Sequence, residues 1–359
     1  MRRFISKLTL FLLPFFLAIF VELFVLPIDL FTFRAWESLV VRKYRSILPG
    51  LFYSNMKITK IEEGDLAHHT RFAIKKRVEW ITDRYGFRKQ NTNSERHKIV
   101  IIGESNIAGS TLTQKEILSE VLEDQLRVSV YPYAPVGINS FLKEKRFKEN
   151  PPSIVIFAKV ERELFELPAL KQMKDRKWTS RLKEEVNQHR WVQTIFTCLD
   201  RISKWNMLHY FRASLRRSFI DTQENHLGGV PSKYGRIFFL QGAEANRDVP
   251  REKLEKAIGV IKSYHDAITN RRIRFIFLPI PEKENIYHEY LQTPKPLFLE
   301  RLISELGELG IEAIDTQKAF DEVHQRGKIL LYHTDDTHWN ANGVRVTAEL
   351  VKKWIEKKE

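Results

Sequence analysis

The sequence predicts an α/β protein: a doubly wound, mainly parallel sheet of five strands flanked by helices. An N-terminal transmembrane helix precedes it and a basic, aromatic insertion interrupts it. Three observations predict this. Short apolar runs alternate with amphipathic helical segments from residue 97 to the C-terminus, the pattern of β-α units on a parallel sheet. Residues 8–28 form one apolar stretch with a single ionisable group, Glu22. Residues 162–249 lose the alternation, carry clusters such as HRWVQTIF and KWNMLHYFRASLRRSF, and read as an insertion packed over one end of the sheet.

The N-terminal stretch is long enough to cross the hydrocarbon core, which takes roughly 20 apolar residues. It exceeds a signal-peptide core of about 7–15 residues, and no small-x-small cleavage site follows. The expectation is an uncleaved signal anchor over residues 1–33. Arg2, Arg3 and Lys7 place its N-terminus in the cytoplasm and the remainder outside, which in a Gram-negative bacterium would be the periplasm. Arg34, Arg42, Lys43 and Arg45 on the far side, with Pro14 and Glu22 inside, favour the competing picture of a hairpin lying on the membrane. Residues 34–95 read as a juxtamembrane segment ending in the loop QNTNSER, and residues 96–359 as the main domain, with its insertion at 162–249.

Within the main domain, HKIVIIG is a short strand ending on glycine. SNIAGSTLTQKEILSEVLEDQL turns into a helical pattern, with Ile117, Leu118, Val121, Leu122 and Leu126 on one face. RVSVYPYAPVG is the second strand and its loop, and SFLKEKRFKEN a basic helix. SIVIFAKV is the third strand, apolar on both faces as a central parallel strand is. REKLEKAIGVIKSYHDAITN is a helix, RIRFIFLPIP the fourth strand, and PLFLERLISELGELG a helix closed by glycine. IEAIDT is the fifth strand and NGVRVTAELVKKWIEKK the final helix.

The formal charge is +14, of which residues 1–33 carry +1. The excess therefore belongs to the soluble part, and its field favours anionic partners such as acidic polysaccharide or phospholipid headgroups. The insertion's basic and aromatic residues suit single-stranded nucleic acid as well. An exterior location points instead to a sugar polymer or the membrane face, so no nucleic-acid partner is expected. The single cysteine, Cys198, cannot form an internal disulfide and lies in an apolar stretch, so a buried structural thiol is expected. No Gly-rich phosphate loop follows the first strand, and no cofactor is expected.

Two clusters carry chemistry. Ser105, in IVIIGESNIAGS, sits just past a strand end at a helix N-terminus, where ligands of open α/β sheets bind. Backbone N–H groups there favour a developing oxyanion. A serine nucleophile needs a base. His338, in YHTDDTHWNANG, lies in a loop before the last helix, with Asp335 and Asp336 adjacent to orient its ring. The competing structural readings make Ser105 a helix N-cap and one of the two aspartates the cap of the final helix. His333, Asp335, Asp336 and His338 also have the donor types of a metal site. The chain lacks an HExxH motif or a cysteine pair, and no metal is expected.

The block Gly103-Glu104-Ser105-Asn106 resembles the GDS block of SGNH (GDSL-type) hydrolases. Asp336-Thr337-His338-Trp339 resembles their C-terminal Asp/His block, in the wording of the SGNH-like domain of alginate O-acetyltransferase-type proteins. FLPIPEKENIY, residues 277–287, is similar to wording in that group. The resemblance spans about 97–350 and implies an SGNH-like fold. It implies a triad of Ser105 as nucleophile, His338 as base and Asp336 as orienter, acting through an acyl-enzyme with acetyl as the acyl group. It further implies an oxyanion hole of the Ser105 N–H and Gly137 in YAPVGINS; Asn139 is nearby but outside the family's asparagine position. The D-x-x-H spacing of ordinary members selects Asp335 and the DTHW wording selects Asp336; Asp336 is preferred. His333 reads as a structural or rim histidine.

The chain departs from the pattern in three places. Glu104 stands where Asp is usual. The third block offers Lys159, Glu161 and Arg162 in place of an asparagine, with Arg162 able to lend positive potential. Serine precedes Asp/His, the order of ordinary SGNH hydrolases and the reverse of the alginate-type proteins. The expected function is a membrane-anchored, extracytoplasmic O-acyltransferase acting on a hydroxyl of a cell-envelope polysaccharide or exopolysaccharide. A membrane-bound O-acyltransferase partner is implied by the resemblance. The alternatives are a carbohydrate or lipid esterase with the same triad, and a non-catalytic polysaccharide-binding scaffold.

Overall fold

The computed structural model describes residues 1–68, 72–90, 96–170, 182, 186, 189–204, 206–219, 229–240, 249–327 and 329–357. In chain order the elements are α1 (Arg2–Phe20), α2 (Ala35–Leu39), β1 (Lys57–Glu62), β2 (Lys76–Ile81), β3 (Ile99–Ile102), α3 (Ser105–Ala108) and α4 (Leu118–Leu126). They continue as β4 (Val130–Tyr133), α5 (Ile138–Phe141), α6 (Lys145–Glu149), β5 (Ile154–Val160), α7 (Arg190–Lys204), α8 (Asn206–Phe219) and the hairpin β6 (Val230–Ser232) and β7 (Gly235–Ile237). The C-terminal part holds α9 (Arg251–Thr269), β8 (Arg274–Ile280), α10 (Lys283–Ile286), α11 (Phe298–Glu308), β9 (Glu312–Ala313), α12 (Thr316–Gly327) and α13 (Ala341–Glu356).

The main sheet has five parallel strands in the order β4-β3-β5-β8-β9, the doubly wound arrangement expected. Side chains alternate across it. Ile99, Ile101, Ile154, Ile156, Ile276 and Leu278 face the layer holding α4 and α13, through Leu118, Leu122, Val344 and Val351. Val100, Ile102, Val155, Phe157, Phe275 and Phe277 face the layer holding α9 and α11, through Ile261, Tyr264, Leu302 and Leu306. Both faces are covered, which is why the strands read as continuous apolar runs. The chain enters at β3, turns to β4, then crosses back to β5, so the direction of winding reverses beside the C-terminal end of β3. That reversal opens a crevice for a ligand.

Several elements differ from their sequence readings. The helix expected after β3 is broken into α3, a 3-10 turn at Gln114–Glu116 and α4. Gly109 ends α3 in the left-handed conformation (φ 77°) and closes it after one turn. The basic segment SFLKEKRFKEN forms two short helices, α5 and α6, rather than one. The fifth strand is only two residues long. As expected, α11 closes on a glycine: Gly310 has φ 72°, and Ile311 N–H donates to Leu306 O at 2.9 Å.

The described residues between 34 and 90 are built into the same body. Ala35, Leu39, Phe52, Ile58, Val78 and Trp80 belong to the core layer beneath α4 and α13. β1 and β2 pair antiparallel, and the chain between them reaches the loop that carries His338. The described helices of the insertion do not cap the sheet. α7 lies on residues 38–53, bonded through Asp200 and Lys204, while Val186 joins a small cluster with Val41, Leu48 and Tyr53. Cys198 on α7 is half-buried rather than buried. The segment Arg2–Val25 is one helix long and apolar enough to cross a membrane.

Candidate active site

β3 delivers Ser105 to the crevice. Its four residues are buried, and Gly103 lets the chain turn against α3, since a Cβ there would lie 2.4 Å from Ile107 Cγ1. The extended residue that precedes α3 is Glu104, not Ser105. The serine is therefore the first helical residue, exposed, and its hydroxyl does not cap the helix.

His338 comes from a loop closed on itself. Tyr332 and Trp339 form an antiparallel bridge, His333 N–H donates to His338 O at 3.2 Å, and Asn340 N–H donates to Leu331 O at 2.9 Å. Trp339 is fully buried and pins the loop to the core. The final helix is capped by Asn340, whose side chain accepts from Asn342 N–H and Gly343 N–H, so neither aspartate serves that purpose.

Across the crevice, His338 Nε2 lies 2.8 Å from Ser105 Oγ. On the other side of the ring, Nδ1 lies 2.5 Å from Asp336 Oδ1. The carboxylate can only accept, so Nδ1 carries the proton and Nε2 is left to accept from the serine hydroxyl. The backbone N–H of His338 also donates to Asp336 Oδ1 at 2.9 Å. The second oxygen, Oδ2, accepts from Asp65 N–H at 2.8 Å and from Arg34 Nη2 at 3.1 Å. Asp336 is fully buried. Burial alone would raise its pKa, but the attraction of His338, the hydrogen bond to it and the charge of Arg34 outweigh burial and hold it well below the usual carboxylate range.

Asp335 points the other way. It accepts from Gly64 N–H at 3.1 Å and Ile74 N–H at 2.8 Å, and pairs with Lys76 Nζ at 2.7 Å. Its carbonyl accepts from Leu66 and Ala67. A side chain at Gly64 would collide, with its Cβ 2.1 Å from that carbonyl. Thr337 completes the clasp by donating its N–H and hydroxyl to the Asp65 carboxylate at 2.8 and 2.6 Å. Lys283, the lysine of the PIPEK wording, donates to the carbonyls of Phe238, Thr334 and Asp336 at 2.6, 3.0 and 3.0 Å. Burial pulls its pKa down to about 8.

Gly137 immediately precedes α5, in the loop that follows β4, and Val136 N–H donates to Gly103 O at 3.1 Å, which holds this loop beside the serine turn. A Cβ on Gly137 would meet nothing within 4 Å, so the position is open. Asn139 donates to Ala169 O at 3.0 Å, and this bond turns its amide toward the insertion. Of the third block, Lys159 pairs with Glu104 at 2.7 Å and Glu163 at 2.5 Å. Arg162 pairs with the buried Glu282 at 2.6 Å, and its charge is spent there instead of on the crevice. Glu161 is fully buried, accepting from Asn285 Nδ2 at 2.5 Å and Glu282 N–H at 3.1 Å. His333 is half-buried, and desolvation, then Lys76, push its pKa down to about 3, so it is neutral.

Asp65, Asp336 and His338 each offer a donor atom within 4.8 Å of the others, the one metal-capable group among the described residues. The Arg34 cation 3.1 Å from Asp336 already neutralises that carboxylate and would repel a metal ion. In the sequence Arg34 stands out only as a charge beyond the apolar span, and Asp65 and Lys76 not at all. No local motif marks them, because their connection to Asp335 and Asp336 is made only by folding.

Residues 237–359 match the family described as SGNH hydrolase-like domain, acetyltransferase AlgX. The resemblance read from the Asp/His block is thereby shown in that stretch, which contains Lys283, Asp336 and His338; Ser105 lies ahead of it. A lipolytic G-D-S-L family protein from Veillonella parvula DSM 2008 is 9% identical, with a TM-score of 0.38, and the alignment covers 72% of this chain and 98% of that one. A GDSL-like lipase from Bacteroides thetaiotaomicron VPI-5482 is 12% identical, with a TM-score of 0.34, covering 76% and 93%. Chains this distant say nothing of substrate. No curated protein matches. The family match supports an esterase or acyltransferase of the SGNH type.

Proposed function

We propose that this chain is a membrane-anchored, extracytoplasmic serine acyltransferase that places an acyl group, acetyl in the first instance, on a hydroxyl of an envelope or secreted polysaccharide. The observation that carries the reading is the continuous hydrogen-bonded line from Asp336 through His338 to Ser105, at the winding reversal of the sheet. In this account the Ser105 hydroxyl gives its proton to His338 Nε2 as Oγ attacks the donor's carbonyl carbon. Asp336, ionised at all ordinary pH, holds the imidazolium that forms. The Ser105 N–H, in the first helical turn and so without an intrahelical acceptor, and the Gly137 N–H bind the oxyanion. Collapse expels the donor's leaving group, which takes the proton from His338, and leaves Ser105 acylated. An acceptor hydroxyl then gives its proton to His338, attacks the acyl carbon, and regenerates the serine.

Transfer is favoured over hydrolysis by position. Arg34, which bonds Asp336, follows the apolar helix Arg2–Val25 by nine residues. Nine extended residues reach at most about 30 Å, so the triad stays close to the bilayer surface, where a membrane acyl donor is presented. A multi-spanning O-acyltransferase is the partner that would load such a donor. The +13 carried outside the anchor suits an anionic polymer as acceptor. Residues 1–33 act as anchor. The catalytic unit comprises residues 96–359 together with the juxtamembrane residues that clasp the His338 loop.

The test uses the full chain in vesicles with an aryl acetate carrying a labelled acetyl group. Transfer predicts a Ser105-acetyl intermediate that partitions to added polysaccharide in preference to water. Partition to water alone, unchanged by any acceptor, makes it an esterase; no acetyl on Ser105 refutes both.

A further inference from the structure

Helix α7 buries polar side chains and exposes large apolar ones. Toward the protein it turns the buried Gln193, Asp200 and Lys204, together with the half-buried Val192 and Phe196, which pack on the cluster of Val41, Leu48 and Tyr53. Asp200 accepts from the N–H groups of Arg42, Lys43 and Tyr44 at 3.1, 2.6 and 3.1 Å and from the Tyr53 hydroxyl at 2.7 Å. Lys204 Nζ donates to Ser38 O at 3.1 Å and sits 4.4 Å from the Tyr53 ring centroid. The outward face is apolar. Trp191, Ile195, Leu199 and Ile202 recur at helical spacing and are exposed. α8 continues the surface with Leu208, Phe211 and Leu215. Trp191 is 65% exposed and Phe211 66%, values a water-facing helix rarely gives to its largest apolar side chains.

The neighbourhood says what covers this surface. Arg201 Nη2 donates to Glu22 O at 3.1 Å and Met207 N–H to Glu22 Oε1 at 3.4 Å, so the α7–α8 junction sits against the end of the apolar segment Arg2–Val25. Just beyond it, Tyr210 stacks on Phe33 with centroids 5.2 Å apart and meets Phe31 at 5.8 Å. The apolar surface thus continues from the point where the span leaves the hydrocarbon. Exposed Arg190 and Arg212 flank it, as suits anionic headgroups.

We infer that α7 and α8 form a second membrane attachment, a pair of consecutive helices lying in the bilayer interface with their apolar face among the lipid chains. A single span leaves a domain free to swivel; a second, in-plane contact fixes its tilt. The helix that lies in the membrane is bonded to residues 38–53, next along the chain to the Arg34 that bonds Asp336, so the attachment sets the height and orientation of the crevice.

The experiment uses the full chain, made cysteine-free by Cys198→Ala, in vesicles of phosphatidylethanolamine and phosphatidylglycerol. Single spin labels are placed at Phe16→Cys in α1, Trp191→Cys, Phe211→Cys and, as a water-facing control, Glu255→Cys on α9. Collision rates with oxygen and with a water-soluble nickel chelate are measured. Labels at 191 and 211 should collide with oxygen in excess over nickel, between the values at 16 and 255. Values equal to those at 255 overturn the inference, and so does shielding from both agents, which would mean protein covers the surface. The label at 16 reports the span separately, so a failed second attachment is distinguishable from a failed anchor.

Discussion

Arg34→Gln separates the contribution of the juxtamembrane segment from that of the triad itself. The variant removes a cation 3.1 Å from a fully buried carboxylate, the arginine side chain being only 10% exposed. At an effective dielectric of about 20, the bare attraction at that distance is about 5 kcal/mol. Desolvation offsets part of it, and breaking a buried pair from one side costs about 3–5 kcal/mol. Asp336 keeps three other donors, His338 N–H, His338 Nδ1–H and Asp65 N–H, at 2.9, 2.5 and 2.8 Å, so the lower end, about 3 kcal/mol, applies. At about 2–4 °C per kcal/mol for a domain of this size, the melting temperature should fall by about 6–12 °C. The same change acts on catalysis with a definite sign. Arg34 competes with the imidazolium for Asp336; without it the protonated ring is favoured and is no longer a base. The acid limb of kcat/KM should therefore move to higher pH. Asp65, whose carboxylate lies 4.0 Å from the Arg34 guanidinium and 3.9 Å from His338 Nδ1, loses that attraction too and favours the protonated ring in the same direction, while Lys76, Asp335 and Lys283 are untouched. Melting in detergent and the pH–rate profile are the assays, with Arg34→Lys expected to recover most of both. A melting temperature within about 2 °C of the parent, together with an unmoved acid limb, would refute the reasoning.

Asp336→Asn should cost about 3 kcal/mol through the same Arg34 pair and, in the molecules that remain folded, lower kcat about 10⁴-fold, the loss that follows when the imidazole adopts the wrong tautomer, measured by steady-state ester hydrolysis. Asp335→Asn should cost a similar amount, about 3 kcal/mol lost with the Lys76 pair and read by urea unfolding, but keep activity per folded molecule. Burial pushes the Glu161 carboxyl up to about 8 and that of Glu282 up to about 7. The folded state then holds protons that the unfolded chain releases near pH 4.5, so stability should fall as pH rises from about 4.5 to about 8 and then level off. Glu161→Gln should flatten part of that slope in urea midpoints measured at pH 5 and pH 8.5.

Much of the sheet was legible because a strand buried on both faces must be apolar throughout, as IVII and SIVIFAKV are. The placement of Ser105 and His338 was legible because each stands beside a strand or helix end. The choice between Asp335 and Asp336 was not, since both spacings are chemically sensible. Arg34, Asp65, Gly64 and Lys76 decide it, and they lie more than 250 residues away in sequence. The hairpin β1–β2 gave only a weak signal: Val78 and Trp80 alternate with polar residues, but Ile61 is exposed and Glu62 buried against the pattern. Arg162 looked available as a source of positive potential because sequence does not reveal that Glu282 lies folded against it. The apolar residues of α7 read equally as core, because periodicity locates a stripe without saying which way it faces.

The central claim is that the Ser105 hydroxyl is activated by the His338 ring. Intact-protein and peptide mass spectrometry after treatment with a fluorophosphonate tests it most directly. One adduct on Ser105 in the parent chain, lost in a folded His338→Ala variant, is the predicted result. An adduct on another residue, or labelling of Ser105 that persists at the same rate without the imidazole, contradicts it.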